Sequence, residues 1–283
     1  MLTFTENALD TGLALDAATR HIGRLEARLL LQQTTGLTAS AIAAHPERPL
    51  SAAEQTAYER LVARRAAGEP IAYLVGTREF YGRDFATTPE VLIPRPETEL
   101  LVELGLAKMQ GIAAPRILDL GCGSGCIAVT LALECRGADV TAVDRSNGAL
   151  TVARQNAAAL GADASVRFIE SDWCGALNSE SERFHLIVSN PPYIRADDPH
   201  LTQGDLRFEP PGALASGADG LDALRRIVAA ATAHLPPGGW LLMEHGYDQA
   251  DDVRALLIAG GYADIEQHRD LAGIIRVSGG RRL

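Results

Sequence analysis

From Pro115 onward the chain alternates short apolar, β-branched runs with stretches of helical length, and this alternation restricts the fold more than any other feature. Arg116-Ile117-Leu118-Asp119-Leu120 reads as a first strand, with a helix following from about Gly125. Residues 138–143 read as a second strand with a helix over 147–160. Residues 166–170, 184–189 and 240–244 supply three more strands, and helices are expected over 221–234 and 249–259. Parallel neighbours need a crossover of about a dozen residues, so such a pattern calls for a mostly parallel, doubly wound sheet. Two short runs near 265–268 and 275–278 are expected to finish that sheet as an antiparallel pair.

Ahead of the alternation the character differs. Up to about residue 70 only helical spacing is seen: Leu9 with Leu13, then Leu25 with Leu29, with Gly36 and Thr38 suggesting a stop and a restart. Ser51-Ala52-Ala53-Glu54 reads as a capping box opening a helix with Ala57, Tyr58, Leu61 and Val62 on its apolar face. Arg60, Arg64 and Arg65 are expected on its solvated face. Gly68-Glu69-Pro70 punctuates the chain. The aromatic and β-branched stretch 71–91, with Tyr81-Gly82-Arg83-Asp84 as its turn, reads as a β-hairpin. Pro96 suits the first position of a helix running to about Gln110, and Glu97 and Glu99 favour its positive end.

The strand at 184–189 ends in Asn190-Pro191-Pro192-Tyr193. Proline nitrogens cannot join a ladder, so the strand stops and a stiff turn presents an amide, two carbonyls and an aromatic ring. These groups suit a planar substrate carrying an NH2: the asparagine oxygen and a proline carbonyl accept its two hydrogens while the tyrosine ring covers one face. Directly after it, residues 194–219 form a long loop, of a length that is usually functional or disordered.

Gly121, Cys122, Gly123, Ser124 and Gly125 join the first strand to its helix, where glycines let backbone approach a ligand. The dinucleotide fingerprint wants its third glycine where Cys126 stands, a hydrolase elbow wants glycines at 122 and 126, and a Walker lysine is missing. Asp144 ends the second strand about 20 residues after the first glycines, where a carboxylate can hold both ribose hydroxyls. Asp172 and Trp173 follow the third strand and offer a carboxylate for an adenine amino group and a flat surface beside its ring. Together these positions point to a pocket for S-adenosylmethionine, and to methyl transfer over hydride transfer.

The 283 residues carry a net charge of −10, with a sequence pI near 5.2, so no global basic field exists to hold nucleic acid. Cys122, Cys126, Cys135 and Cys174 form neither a paired zinc motif nor a secreted disulfide pattern, and are expected to be reduced core residues. Glu6 and Asp10 interrupt any apolar run near the start, and no uncharged segment approaches the roughly 20 residues that span a bilayer. A soluble cytoplasmic protein is expected.

These motifs together resemble the bacterial peptide chain release factor glutamine methyltransferases, the PrmC or HemK family. The resemblance spans nearly the whole chain. It includes the N-terminal helices, Glu79-Phe80-Tyr81-Gly82, Ile93-Pro94-Arg95-Pro96-Glu97-Thr98-Glu99, the glycine loop and Ser171-Asp172-Trp173. It continues through Ser189 to Ile194, Gly204-Asp205-Leu206-Arg207-Phe208-Glu209-Pro210 and Glu244-His245-Gly246. The Asn-Pro-Pro-Tyr box is shared with adenine-N6 methyltransferases, whereas the Ile-Pro-Arg-Pro-Glu-Thr-Glu and Arg-Phe-Glu-Pro stretches are more specific. Cys122 and Cys126 stand where the family commonly has small or hydroxyl residues, and Ile274-Ile275 replaces an often polar stretch.

The resemblance implies an α/β fold: a seven-stranded Rossmann-like, S-adenosylmethionine-dependent methyltransferase domain preceded by a small all-helical domain and a β-hairpin linker. The expected divisions are 1–70 for helical substrate docking, 71–95 for the hairpin linker and 96–283 for methyl transfer. The implied substrate is the glutamine of the Gly-Gly-Gln loop in class-one release factors, methylated on N5, with S-adenosylhomocysteine as coproduct. Asn190, Pro191, Pro192 and Tyr193 would hold that glutamine, with Asn190, Pro191 and Tyr193 closest to the chemistry. Gly121 to Gly125, Asp144, Asp172, Trp173 and Asn190 would hold the cofactor. A monomer is expected, without metal, direct nucleic acid binding or membrane attachment. Competing readings are a ribosomal-protein glutamine methyltransferase, disfavoured by Pro-Glu-Thr-Glu, an adenine-N6 methyltransferase, disfavoured by the acidic charge, and a catalytically silent binding module.

Overall fold

Asp10 opens the first described helix by accepting the Leu13 N–H at 2.7 Å. The computed structural model describes residues 9–283; Glu6 and the first eight residues of the expected helical unit lie outside the described residues. The chain divides into two units, one up to Thr77 and one from Arg78.

The first unit holds α1 (Thr11–Ile22), α2 (Arg24–Thr35), α3 (Ala39–Ala44), α4 (Ala52–Ala66) and α5 (Ile71–Val75). The expected punctuation is seen in detail. Gly36 ends α2 in the left-handed conformation, the Thr38 side chain caps α3, and Ser51 and Glu54 form a complete capping box on α4. Tyr58 and Val62 are buried with Leu15, Ala18, Ala27, Leu30 and Leu31, and the Tyr58 hydroxyl donates to the Ala27 carbonyl at 3.0 Å.

Three expectations for this unit need correction. Leu13 and Leu25 are 57% and 61% exposed, because the helices turn Ala14, Ala18 and Ala27 inward instead. Arg65 is not merely solvated: it grips Glu26 with two hydrogen bonds of 2.7 and 2.9 Å. Residues 71–75 form α5 and not a strand, since burial of Ala72 and Leu74 outweighs their neighbours' β propensity.

At the boundary comes the hairpin, β1 (Thr77–Phe80) and β2 (Arg83–Ala86). Tyr81 and Gly82 both have positive φ, 52° and 74°, as its two-residue primed turn requires. The second unit continues with α6 (Glu99–Met109), β3 (Arg116–Leu120), α7 (Cys126–Glu134), β4 (Asp139–Asp144), α8 (Asn147–Leu160), β5 (Val166–Glu170) and β6 (Leu186–Ser189). Then follow α9 (Asp222–Ala231), β7 (Trp240–Glu244), α10 (Ala250–Ala259), β8 (Tyr262–Arg269) and β9 (Ile275–Arg282). The seven-stranded sheet has the order β5-β4-β3-β6-β7-β9-β8. β3 pairs in parallel with both β4 and β6, while β9 runs antiparallel to β7 and β8.

Strand alternation divides the core between the two faces of the sheet. Ile117, Val140, Ala142, Leu186, Val188 and Leu242 pack on one side with Leu101, Val102, Leu131, Leu150 and Ala153 of the covering helices. Leu118, Leu120, Ile187, Leu241 and Met243 pack on the other with Leu224, Ile227, Val253 and Leu257. Each such Val, Leu, Ile or Met side chain contributes roughly 1.5–3 kcal/mol through burial. The expected strands appear, with shifted limits. β6 starts two residues late because the Phe184 N–H already bonds the His234 carbonyl, outside the sheet. β8 and β9 are each eight residues long, about twice the expected pair. Among the described residues no helix is long and apolar enough to cross a membrane.

Candidate active site

In the sheet, β3 lies between β4 and β6, and the connections after β3 and β6 leave on opposite faces. Ligands of open α/β sheets bind at such a switch point, beyond the carboxyl ends of the strands. A cavity of about 490 Å³ lies there, entirely within the second unit, a size that suits a nucleoside-sized ligand.

The glycine loop forms the cavity floor. Gly121, Cys122, Gly123 and Ser124 line it; Gly125 does not, and a Cβ added there would stand 3.0 Å from the Ala153 side chain. Gly121 has φ +76°, and a Cβ there would stand 3.4 Å from the Trp173 ring, so glycine lets the indole lie against the loop. Asp144 lines the cavity at the end of β4. Its two oxygens accept the Gly123 N–H and the Ser146 N–H, each at 2.9 Å, which fixes the carboxylate while leaving further lone pairs. Asp172 and Trp173 line the cavity after β5. Asp172 is exposed and ion-paired with Arg226 at 2.5 Å, a partner the sequence did not suggest.

Asn190 and Pro192 also line the cavity, whereas Pro191 and Tyr193 are not among its lining residues. The Asn190 Nδ2 donates to Thr98 Oγ1 at 3.0 Å, and Thr98 Oγ1 donates to Glu244 Oε2 at 2.7 Å. The Tyr193 hydroxyl donates to Glu244 Oε1 at 3.3 Å, and the Tyr193 carbonyl accepts from Gln249 Nε2 at 2.9 Å. Burial pushes the Glu244 carboxyl up to about 7 against the opposing bonds from Thr98 and Tyr193. Tyr193 is raised as well, by desolvation first and then by Glu244.

The long loop after Tyr193 is ordered. Ile194 bridges to Ala215, and three short 3₁₀ turns cover 199–202, 206–208 and 211–213. Glu209, its side chain fully buried, accepts the Ile93 N–H at 3.1 Å and forms an ion pair with Arg95. The loop is thereby fastened to the 93–95 entry, and Pro94, Arg95 and Pro210 all line the cavity.

Cys122, Cys126 and Cys174 are buried free thiols whose burial pushes them up, Cys126 to about 12 and Cys174 to about 11. Such thiols are inert at neutral pH. Among the described residues no group of three or more His, Cys, Asp or Glu could hold a metal ion.

Residues 11–76 match the family described as the PrmC N-terminal domain, and residues 96–204 match the methyltransferase small domain. The chain is 56% identical over 261 residues to the release factor glutamine methyltransferase of Burkholderia pseudomallei, covering 91% of each chain. It is 55% identical to that of Bordetella pertussis over 91% of this chain and 94% of the other. The chain belongs to the release factor glutamine methyltransferase family. Among solved structures, the catalytic domain of hMettl16 overlays with a TM-score of 0.58 at 13% identity, over 79% of this chain and 81% of that one. A T. Thermophilus 16S rRNA methyltransferase in complex with AdoMet and guanosine gives 0.53 at 23%, over 73% and 50%. At these identities the likeness shows the methyltransferase fold alone.

Membership of the family gives the two most specific sequence stretches a physical meaning. Ile93-Pro94-Arg95 and Arg207-Phe208-Glu209-Pro210 meet at the Arg95–Glu209 pair, and Thr98 meets Glu244. The sequence assigns no individual roles to Thr98, Arg95, Glu209 and Glu244; its one local signal is an extended Ile93-Pro94-Arg95 entry more elaborate than capping requires.

Proposed function

We propose that this methyltransferase moves the methyl group of S-adenosylmethionine to N5 of the glutamine in the Gly-Gly-Gln loop of a class-one release factor. The single observation that carries the reading is the pairing, on one cavity, of a glycine and carboxylate cradle with an asparagine whose Oδ1 accepts no hydrogen bond from the described residues. The cradle fits the cofactor. Asp144 keeps lone pairs for ribose hydroxyls, the space above Gly121 admits a flat ring beside Trp173, and Asp172 offers an acceptor for an amino group. Bound S-adenosylmethionine would supply a methyl group already activated by the positive sulfur.

The protein's task is then to orient a poor nucleophile. An amide nitrogen shares its lone pair with the carbonyl, the resonance that also makes peptides planar. Asn190 Oδ1 and the Pro191 carbonyl accept the two amide hydrogens, which directs the nitrogen into the cavity. Tyr193, raised by burial and held by Glu244, stays a neutral phenol whose ring closes the amide off from water. Such positioning supplies roughly 7–11 kcal/mol of barrier at its limit. No dedicated general base is required, because the methylated amide nitrogen is acidic and loses its proton late. The helical unit and the hairpin, which contribute nothing to the cavity lining, would recognise the folded factor.

Asn190→Ala tests the reading. The variant is expected to melt close to wild type and to lose roughly a hundredfold or more in kcat on a purified release factor, since misplacement by about 1 Å costs that much. Near-normal turnover would remove Asn190 from the reaction.

A further inference from the structure

Thr98 has no part in the mechanism above and Glu244 enters it only by holding Tyr193, yet both are buried, Thr98 bonds Asn190 directly and Glu244 reaches it through Thr98. Thr98 closes a 3₁₀ turn over Pro96–Thr98 that leads into α6, and its backbone is already helical, so its hydroxyl is free of a capping role. Here it makes no cap bond. Its proton goes to Glu244 Oε2, and its oxygen receives the Asn190 NH2.

A hydroxyl has one proton to give. With Glu244 ionised, as it is above about pH 7, that proton is committed to the carboxylate and Thr98 can only accept from Asn190. The Asn190 amide must therefore turn its nitrogen toward Thr98 and its oxygen away. Asn190 Oδ1 accepts no hydrogen bond from the described residues, and the side chain lines the cavity. We propose that Thr98 and Glu244 are positioning residues, which fix Asn190 so that it offers an acceptor, never a donor, to the substrate.

This inference rests on the reading of Asn190 as the group that receives the substrate amide. Its chemical consequence is selectivity for glutamine over glutamate. A glutamine NH2 meets an oxygen and a bond forms. A glutamate carboxylate has no N–H and would set its lone pairs against those of Asn190 and the Pro191 carbonyl. A reversed Asn190 would set NH2 against NH2 and admit the wrong side chain. The same Glu244 also receives the Tyr193 hydroxyl, so one buried carboxylate ties the amide to the ring.

The test uses the full chain, with Thr98→Val, which keeps the shape and loses the hydroxyl, and Thr98→Ser, which keeps the hydroxyl. Two readouts are taken: the Asn190 side-chain NH2 signals in nitrogen-15 spectra, assigned by their loss in Asn190→Asp, and steady-state kinetics on a release factor with separate calorimetry of S-adenosylmethionine. Wild type and Thr98→Ser are expected to show a slowly exchanging Asn190 NH2, and Thr98→Val a fast one. Thr98→Val is expected to lose roughly tenfold to a hundredfold in kcat with cofactor affinity within about twofold, and Thr98→Ser to recover most of it, as for hydrogen bonds to charged groups. A fast-exchanging Asn190 NH2 in wild type overturns the inference, and so does a folded Thr98→Val with wild-type kcat. The wild-type spectrum needs neither turnover nor a stable variant. A wild type that transfers nothing to glutamine while its Asn190 NH2 is protected would defeat the functional reading and leave the locked orientation standing.

Discussion

Asp144 combines an observed role with a proposed one. It ties down the loop through the Gly123 and Ser146 N–H groups, and it is assigned the two ribose hydroxyls. Hydrogen bonds to a charged group contribute about 1.5–3 kcal/mol each, so losing two of them in Asp144→Ala should weaken S-adenosylmethionine binding by roughly a hundredfold to ten-thousandfold. Calorimetry on a folded variant with unchanged affinity would contradict the ribose assignment. Glu244 makes a different prediction. Its folded value of about 7 lies above the ordinary 4.5, chiefly through desolvation, with Glu97 adding to the rise while Thr98, Tyr193 and Arg276 oppose it. Folding therefore favours the protonated acid. The stability this contributes is fully present below about pH 4.5 and is lost as pH rises through about 7, on the order of 3 kcal/mol in all. Urea unfolding of wild type and Glu244→Gln should show the wild type losing ground to the variant between pH 5 and pH 8. Parallel curves would show that Glu244 does not titrate there. The positions of Asp144, Asp172 and Asn190 were legible because each closes a strand run. Thr98 and Glu244 were not, because their meaning is a contact across 146 residues of sequence.

Among the elements, the parallel strands were the easiest to read. Runs such as Ile117-Leu118 and Leu186-Ile187-Val188 bury successive side chains on opposite faces of a covered sheet and so stand out as unbroken apolar stretches. Stretch 71–75 misled for the complementary reason: β-branched and aromatic residues mark burial, and a short helix can supply that burial as well as a strand. The loop at 194–219 could be recognised as unusual by length, but its order depends on Glu209 reaching Ile93 and Arg95. Glu209→Ala leaves a buried N–H without its acceptor and should cost about 1–3 kcal/mol locally. Hydrogen exchange over 194–219 is expected to speed up, while β3 and β4 stay protected. Unchanged exchange in the loop would show that the pair does not hold it.

For the whole molecule, the acidic charge and the strand–helix alternation set the class, and the two specific stretches named the family that full-length similarity then showed. What distinguishes one glutamine from every other lies beyond a site that grips a single amide. The flanking glycines of a Gly-Gly-Gln loop add no side chains and tolerate unusual backbone angles, so such a loop can enter a narrow approach to Asn190. The most direct measurement is to incubate the protein with a folded class-one release factor, ribosomes and total nucleic acid in one mixture with labelled S-adenosylmethionine. The labelled residue is then located by peptide mass spectrometry. The expected result is one methyl group on the side-chain nitrogen of the Gly-Gly-Gln glutamine, and none on a factor carrying alanine there. Label on a ribosomal protein or on adenine, with the release factor unmodified, would contradict it.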